Sequence, residues 1–202
     1  MVENITNLGD EIINLYRGDY LKILYVREMA KLLGKSHVSL LPHLRRFEER
    51  KVLNSKISGR NKTYQLNLDN NLSKEHLTIS EKQQGLKLME KEFFIKKIYD
   101  EISDLNGTVI IFGSYASGNY NKESDIDLFY IGKISNKQKN QIKNMGKIYK
   151  KQIHLTVMDE EQFNKALNES ISLIKEIIKN HIILQNPDYF INSLWRYYNG
   201  RR

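Results

Sequence analysis

The chain has 202 residues and a net charge of +8, a length that accommodates one large domain or two small ones. It contains no cysteine, which excludes disulfides, zinc–thiolate sites and cysteine nucleophiles. The start, Met-Val-Glu-Asn, has no basic stretch ahead of an apolar run, and nowhere do the roughly 18 uninterrupted apolar residues of a bilayer span occur, so a cytoplasmic protein without a membrane partner is expected. A basic balance suits polyanionic partners, but most of the bases are Lys, and a lysine-rich composition produces the same charge without any partner. The arginines carry more information, because Arg45, Arg46, Arg50 and Arg60 fall in one segment.

A first helix is predicted over Leu8–Arg17, stopped by Gly18-Asp19. Val26, Met29, Ala30 and Leu33 recur at helical spacing, and Gly34 ends that second helix. Ser36 is a candidate N-cap for a third, with Leu40, Leu41, Leu44 and Phe47 inward. Pro42 leaves its start open between Ser36 and Ser39, since proline is best placed in a first turn. Residues 54–66 predict two short strands around Ser58-Gly59-Arg60-Asn61. Helix, glycine turn, helix and basic hairpin resemble a winged helix-turn-helix. That resemblance implies contact with double-stranded DNA through Ser36, His37, Ser39, His43, Arg46 and Arg50 on the recognition helix, and through Arg60 and Lys62 on the wing.

Asn67-Leu-Asp-Asn-Asn-Leu-Ser73 is a polar break between differently patterned halves. Ser80 and Gln83 have capping-box spacing, and Leu86, Met89, Phe93, Phe94, Ile98 and Ile102 extend one long helix to Leu105. Thr108–Phe112 is a strand too apolar to be exposed on either face. A small, polar segment, Gly113–Ser124, leads to a second strand, Asp125–Ile131. A lysine-rich surface helix, Ser135–Lys151, precedes a third strand, Gln152–Met158. Asp159 caps a helix over Glu160–Asn168, and two more helices are predicted over Ser170–Leu184 and Asp188–Tyr198. In the last of these, Phe190, Leu194 and Trp195 form an apolar stripe suited to core packing.

The chemistry-bearing segment is Gly113-Ser114, ten residues, then Asp125-Ile-Asp127. Residues two apart on a strand share a face, so Asp125 and Asp127 project together and their repulsion favours a hard cation, Mg²⁺ by default. Gly113 admits a close backbone approach, and the N–H groups and hydroxyl at Ser114 suit terminal phosphates. This pattern resembles the DNA polymerase beta superfamily of nucleotidyltransferases, and most closely the minimal, antitoxin-like type. The resemblance covers roughly residues 107–158 and places Ala116, Gly118 and Ser124 where that pattern has them.

The resemblance implies transfer of a nucleoside monophosphate from an NTP, such as ATP, to a hydroxyl of a protein or RNA. Asp125 and Asp127 would hold Mg²⁺, Gly113 and Ser114 the nucleotide, and Lys122 would neutralise the triphosphate. The protein acceptor would be a partner such as a helical toxin, and a homodimer is compatible with the pattern. Active members carry a third carboxylate on the third strand. His154 or Thr156 occupies that place here, so His154 enters the catalytic set as ligand or base. The second reading is a DNA-binding regulator whose nucleotidyltransferase domain binds nucleotide without turnover; a polynucleotide polymerase is a third. The expected fold is α+β: a winged helix-turn-helix at 1–69, a linker and connecting helix at 70–106, and a small mixed-sheet nucleotidyltransferase domain with C-terminal helices at 107–202.

Overall fold

The computed structural model describes residues 8–59 and 61–201; Arg60 lies outside them. The chain divides into two compact units, residues 1–80 with 194–202, and residues 81–193. Among the described residues no helix is long and apolar enough to cross a membrane.

The first unit contains α1 (Leu8–Asn14), β1 (Ile23–Tyr25), α2 (Val26–Leu33), α3 (His37–Glu49), β2 (Leu53–Ser58) and β3 (Asn61–Leu66). Gly34, left-handed at φ 63°, closes α2 by donating its N–H to the Ala30 and Lys31 carbonyls. Ser36 then caps α3, its side chain accepting from the Ser39 N–H at 3.2 Å. This settles the start of α3 at the earlier option and leaves Pro42 inside the helix. Pro42 cannot donate to the Val38 carbonyl, but both residues are exposed, so water can serve it. Leu40, Leu44 and Phe47 are buried as their spacing predicts, whereas Leu41 is exposed. The β2–β3 hairpin pairs Ser58 with Asn61, and β1 adds a short antiparallel edge to β3, a strand the periodicity did not reveal. Trp195 and Tyr198 belong to this unit through Tyr20, whose ring lies 6.0 and 4.9 Å from theirs.

The long helix predicted from Ser80 to Leu105 is in fact two. α4 (Asn71–Lys91) starts nine residues earlier, where Asn70 Oδ1 accepts from the Leu72 N–H. Ser80 and Glu81 lie inside it and are buried, so the capping-box spacing is coincidental. Glu92 is extended, at φ −120° and ψ 98°, and breaks the helix before α5 (Phe93–Glu101). Leu86 and Phe93 are exposed, although both were expected inward: the buried face of α4 runs through Leu77, Glu81 and Leu88, and Phe93 opens α5 beyond the break.

In the second unit follow β4 (Thr108–Phe112), α6 (Gly113–Ser117), β5 (Ile126–Ile131), α7 (Asn136–Ile148), β6 (Ile153–Met158), α8 (Glu160–Asn168), α9 (Ser172–Lys179), β7 (Ile182–Gln185) and α10 (Pro187–Asn199). The sheet order is β6-β5-β4-β7; β5 and β6 are parallel and the other pairs antiparallel. Every residue of β4 is buried, because both faces of the sheet are covered. On one face Val109, Ile111, Leu128 and Tyr130 join Ile95, Ile98 and Ile142. On the other, Phe129, Phe163 and Phe190 form a chain of rings 6.1 and 5.8 Å apart. The helix predicted over Ser170–Leu184 stops at Lys179, and Ile182–Gln185 pairs with β4 as an edge strand. Local periodicity could not separate the two, since Ile-Ile-Leu suits either state until a partner strand is present.

Candidate active site

The site grows from the junction of β4 and α6. Gly113 opens α6 with φ +66°, a region that L side chains rarely adopt. A Cβ there would also collide with the Asp127 carboxylate, whose Cγ would lie 3.3 Å away. Both facts demand glycine, and together they place the Asp127 carboxylate against bare backbone. The β4–β5 register brings this about by pairing Phe112 with Asp127.

On its other side Asp127 is paired with His154 in the parallel β5–β6 register. His154 Nδ1 lies 3.2 Å from Asp127 Oδ1, and the Gln152 side-chain amide donates to His154 Nε2 at 2.6 Å. An imidazole that accepts at Nε2 carries its hydrogen on Nδ1 and donates it to the carboxylate. Both ring nitrogens are thereby engaged, although the side chain itself is half exposed.

Asp125 sits one residue ahead of β5, half-buried, at the end of a tightly held loop. Asn121 and Ser124 exchange hydrogen bonds, and the Ile126 N–H donates to the Gln152 carbonyl at 2.9 Å. The Lys151 ammonium donates to the carbonyls of Lys122 at 2.6 Å and Ser124 at 3.3 Å, and lies 5.7 Å from the Tyr115 ring centre. The sequence offered no sign of Lys151 or Gln152 beyond their position just ahead of β6.

Ser114 is half-buried; its carbonyl accepts from the Gly118 and Asn119 N–H groups, which ends α6 after little more than a turn. Lys122 is exposed and lines a cavity of about 470 Å³ together with Lys91, Tyr115, Tyr120 and Lys151. The two tyrosines stack with ring centres 4.2 Å apart and 10° between planes. Tyr115 belongs to the cluster containing Leu128 and Tyr130, whereas strand alternation puts Asp127 on the Phe129 side. The structure therefore brings Gly113, Asp127 and His154 into contact, with Asp125 two residues upstream of Asp127 and Lys122 further back on the same loop.

Two carboxylates at a glycine-lined backbone match the donor set of Mg²⁺, which takes one or two protein carboxylates and shares its other positions with phosphates and water. Among the described residues no three histidines or acids cluster closely enough to hold an ion alone. A testable consequence falls on Gly113. Gly113→Ala should cost about 1–2 kcal/mol for a side chain in the left-handed region, read as a lower unfolding midpoint. Nucleotide affinity should fall further, because Asp127 must move; unchanged affinity by calorimetry would show that this contact is not part of the site.

In the first unit Ser36, His37, Ser39, Arg46 and Arg50 are exposed and His43 is half-buried. The Ser36 and Ser39 hydroxyls are spent on the cap, the second donating to the Ser36 carbonyl at 2.7 Å. Lys62 is held by Glu48, with both carboxylate oxygens 2.7 Å from its ammonium. The hydrogen bonds from Lys62 and Ser55 hold the Glu48 carboxyl below its ordinary range.

Residues 95–184 match the family model of the nucleotidyltransferase domain, a stretch that runs from α5 to β7 and contains Gly113, Asp125, Asp127 and His154. It supports the nucleotidyltransferase superfamily for the second unit. No curated protein matches the chain. Two solved structures align with it, a crystal structure of a toxin–antitoxin with AMP-PNP and one of a mutant of the toxin–antitoxin MntA-HpeT. Each aligns at 14% identity and a TM-score of 0.36, over 52% of this chain and 88% of its own.

Proposed function

We propose that the second unit transfers a nucleoside monophosphate from an NTP to an acceptor hydroxyl, and that the first unit is a winged helix that binds double-stranded DNA. The observation that carries the first part is the approach of the Asp127 carboxylate to the bare backbone of Gly113, with Asp125 two residues upstream. In this reaction the acceptor oxygen bonds to the α-phosphorus, its proton passes to solvent water, and the bond to the bridging oxygen breaks to release pyrophosphate. Bound Mg²⁺ would supply charge neutralisation for the triphosphate and its leaving group. Asp125 and Asp127 hold the cation, Gly113 lets the phosphates approach the backbone, and the Ser114 hydroxyl donates to them. His154 is a positioning residue: its Nδ1, 3.2 Å from Asp127 Oδ1, holds that carboxylate in place.

Incubation with ATP labelled in its α-phosphate and Mg²⁺ should transfer label to a macromolecule. His154→Ala should reduce that transfer about 10–100-fold, the usual cost of losing a partner that orients a metal ligand. His154→Asn should restore it, because an amide can donate to Asp127 as Nδ1 does. Full activity in His154→Ala would show the histidine to be idle. One observation favours the alternative, a regulator that binds nucleotide without turnover: the strand position beside Asp127 carries His154 where a third carboxylate would stand. ATP binding without any label transfer would decide for it.

The DNA reading rests on α2, the Gly34 turn, α3 and the following hairpin, with His37, Arg46 and Arg50 exposed on α3. Lys62 is left out of that surface, since Glu48 already neutralises it. Duplex affinity should fall with salt with a log–log slope of about −0.9 per phosphate contact, and Arg46→Ala should flatten it by about one contact. A duplex that fails to bind even at low salt would remove this half of the proposal.

A further inference from the structure

The first half of α3 turns an apolar face outward. Val38 is 59% exposed and Leu41 43%, and Pro42 beside them is exposed as well. At about 3.6 residues per turn the three share about a third of the helix circumference. They lie opposite Leu40, Leu44 and Phe47, which anchor α3 in its unit, so the fold itself makes no use of them. Arg45, Arg46 and Arg50 follow on the outer side and are exposed. The acids of α3, Glu48 and Glu49, are confined to its last turn, and Glu48 is held by Lys62. The outer surface of α3 is therefore apolar first and basic after.

A helix that enters the major groove meets base edges with its N-terminal residues. From His37 to Pro42 the exposed polar side chains are His37 and Ser39, and the Ser39 hydroxyl is engaged with the Ser36 carbonyl at 2.7 Å. Such a surface offers little to the amides and carbonyls of base edges. It does suit the C5-methyl of thymine, the apolar group that a duplex presents in its major groove. An apolar patch alone would suit many partners. The arginines that follow it call for an anion, and thymine set in a phosphate backbone supplies both. Val38 and Pro42 stand about 6 Å apart along the helix axis, close to two base-pair steps.

We infer that Val38, Leu41 and Pro42 read thymine methyl groups, so that the first unit selects duplexes with thymine at the centre of its site. The inference rests on the duplex-binding reading and adds the base that is selected. The test uses the full chain and short fluorescein-labelled duplexes of alternating dA·dT and of alternating dA·dU, followed by anisotropy at low salt. The two duplexes differ in the C5-methyl and keep every hydrogen-bonding group. Wild type should bind dA·dT about tenfold more tightly, the scale of two buried methyl groups. Val38→Ala with Leu41→Ala should bring that ratio close to one. Arg46→Ala should weaken both duplexes alike and keep the ratio, because a phosphate contact does not see the base. Equal binding of the two duplexes by wild type overturns the thymine reading and leaves duplex binding standing. A ratio that survives in the double variant overturns the assignment to Val38 and Leu41 and gives the preference to duplex shape. Failure to bind either duplex removes the DNA reading and this inference with it, and leaves the face to a protein partner.

Discussion

Asp127→Asn should abolish Mg²⁺-dependent ATP binding by calorimetry and lower label transfer by at least about a thousandfold. Metal-assisted charge stabilisation contributes several kcal/mol, and each 1.4 kcal/mol is about a factor of ten in rate. The substitution is nearly isosteric, so the carboxamide still fits against Gly113 and can still meet His154. What it removes is the charge, one of the two the cation needs. The unfolding midpoint should therefore stay close to that of wild type, which separates this variant from Gly113→Ala. Unchanged ATP affinity in Asp127→Asn would show that the cation and triphosphate bind elsewhere, and would remove Asp125 and Gly113 from the site as well.

The largest expected loss of stability lies at Glu81 and His181. Their side chains are 0% and 1% exposed, and Glu81 Oε1 lies 2.9 Å from His181 Nε2. His181 Nδ1 donates to the Ile177 and Ile178 carbonyls at 3.0 Å, and its ring lies 5.0 Å from Phe190. Glu81→Ala would leave that imidazole nitrogen without its carboxylate in an apolar surrounding, at a cost of about 3–5 kcal/mol. Against a total stability of about 5–15 kcal/mol that is enough to unfold much of the unit at physiological temperature. Replacing both partners with leucine should cost less, because no buried carboxylate or imidazole is left without its partner. Urea unfolding of the three chains checks both statements; a loss under about 1 kcal/mol for Glu81→Ala would show that water reaches the pair. The pair matters for the site because His181 leads into β7, which flanks β4 and thus the junction at Gly113.

The parts of the second unit that position Asp127 were legible in the sequence because their signals are local. β4 is a short apolar run, Gly113 a glycine at a turn that needs one, and Asp159 an acidic cap with Gln162 three residues on, a capping box the structure contains. Gly34 ended α2 for the same reason, since a cap is decided within four residues, whereas Pro42 left the start of α3 open between Ser36 and Ser39. What needed a distant partner was not legible. Ile182–Gln185 is a strand only because β4 offers it hydrogen bonds, and β1 only because β3 does. Ser80 is buried beside Asn14 and Glu81 against His181, so side-chain chemistry that suggested a helix start serves the middle of α4 instead. Lys62 carried the right charge for a nucleic-acid contact, and only the fold brought Glu48 to it. The same holds for the candidate site: its two aspartates could be read from the order of residues along the chain. The engagement of His154 on both ring nitrogens and the grip of Lys151 on the loop come from the β5–β6 register, which pairs residues 27 positions apart. Spacing along a chain fixes which side chains share a face, whereas strand pairing across the sheet decides which of them touch.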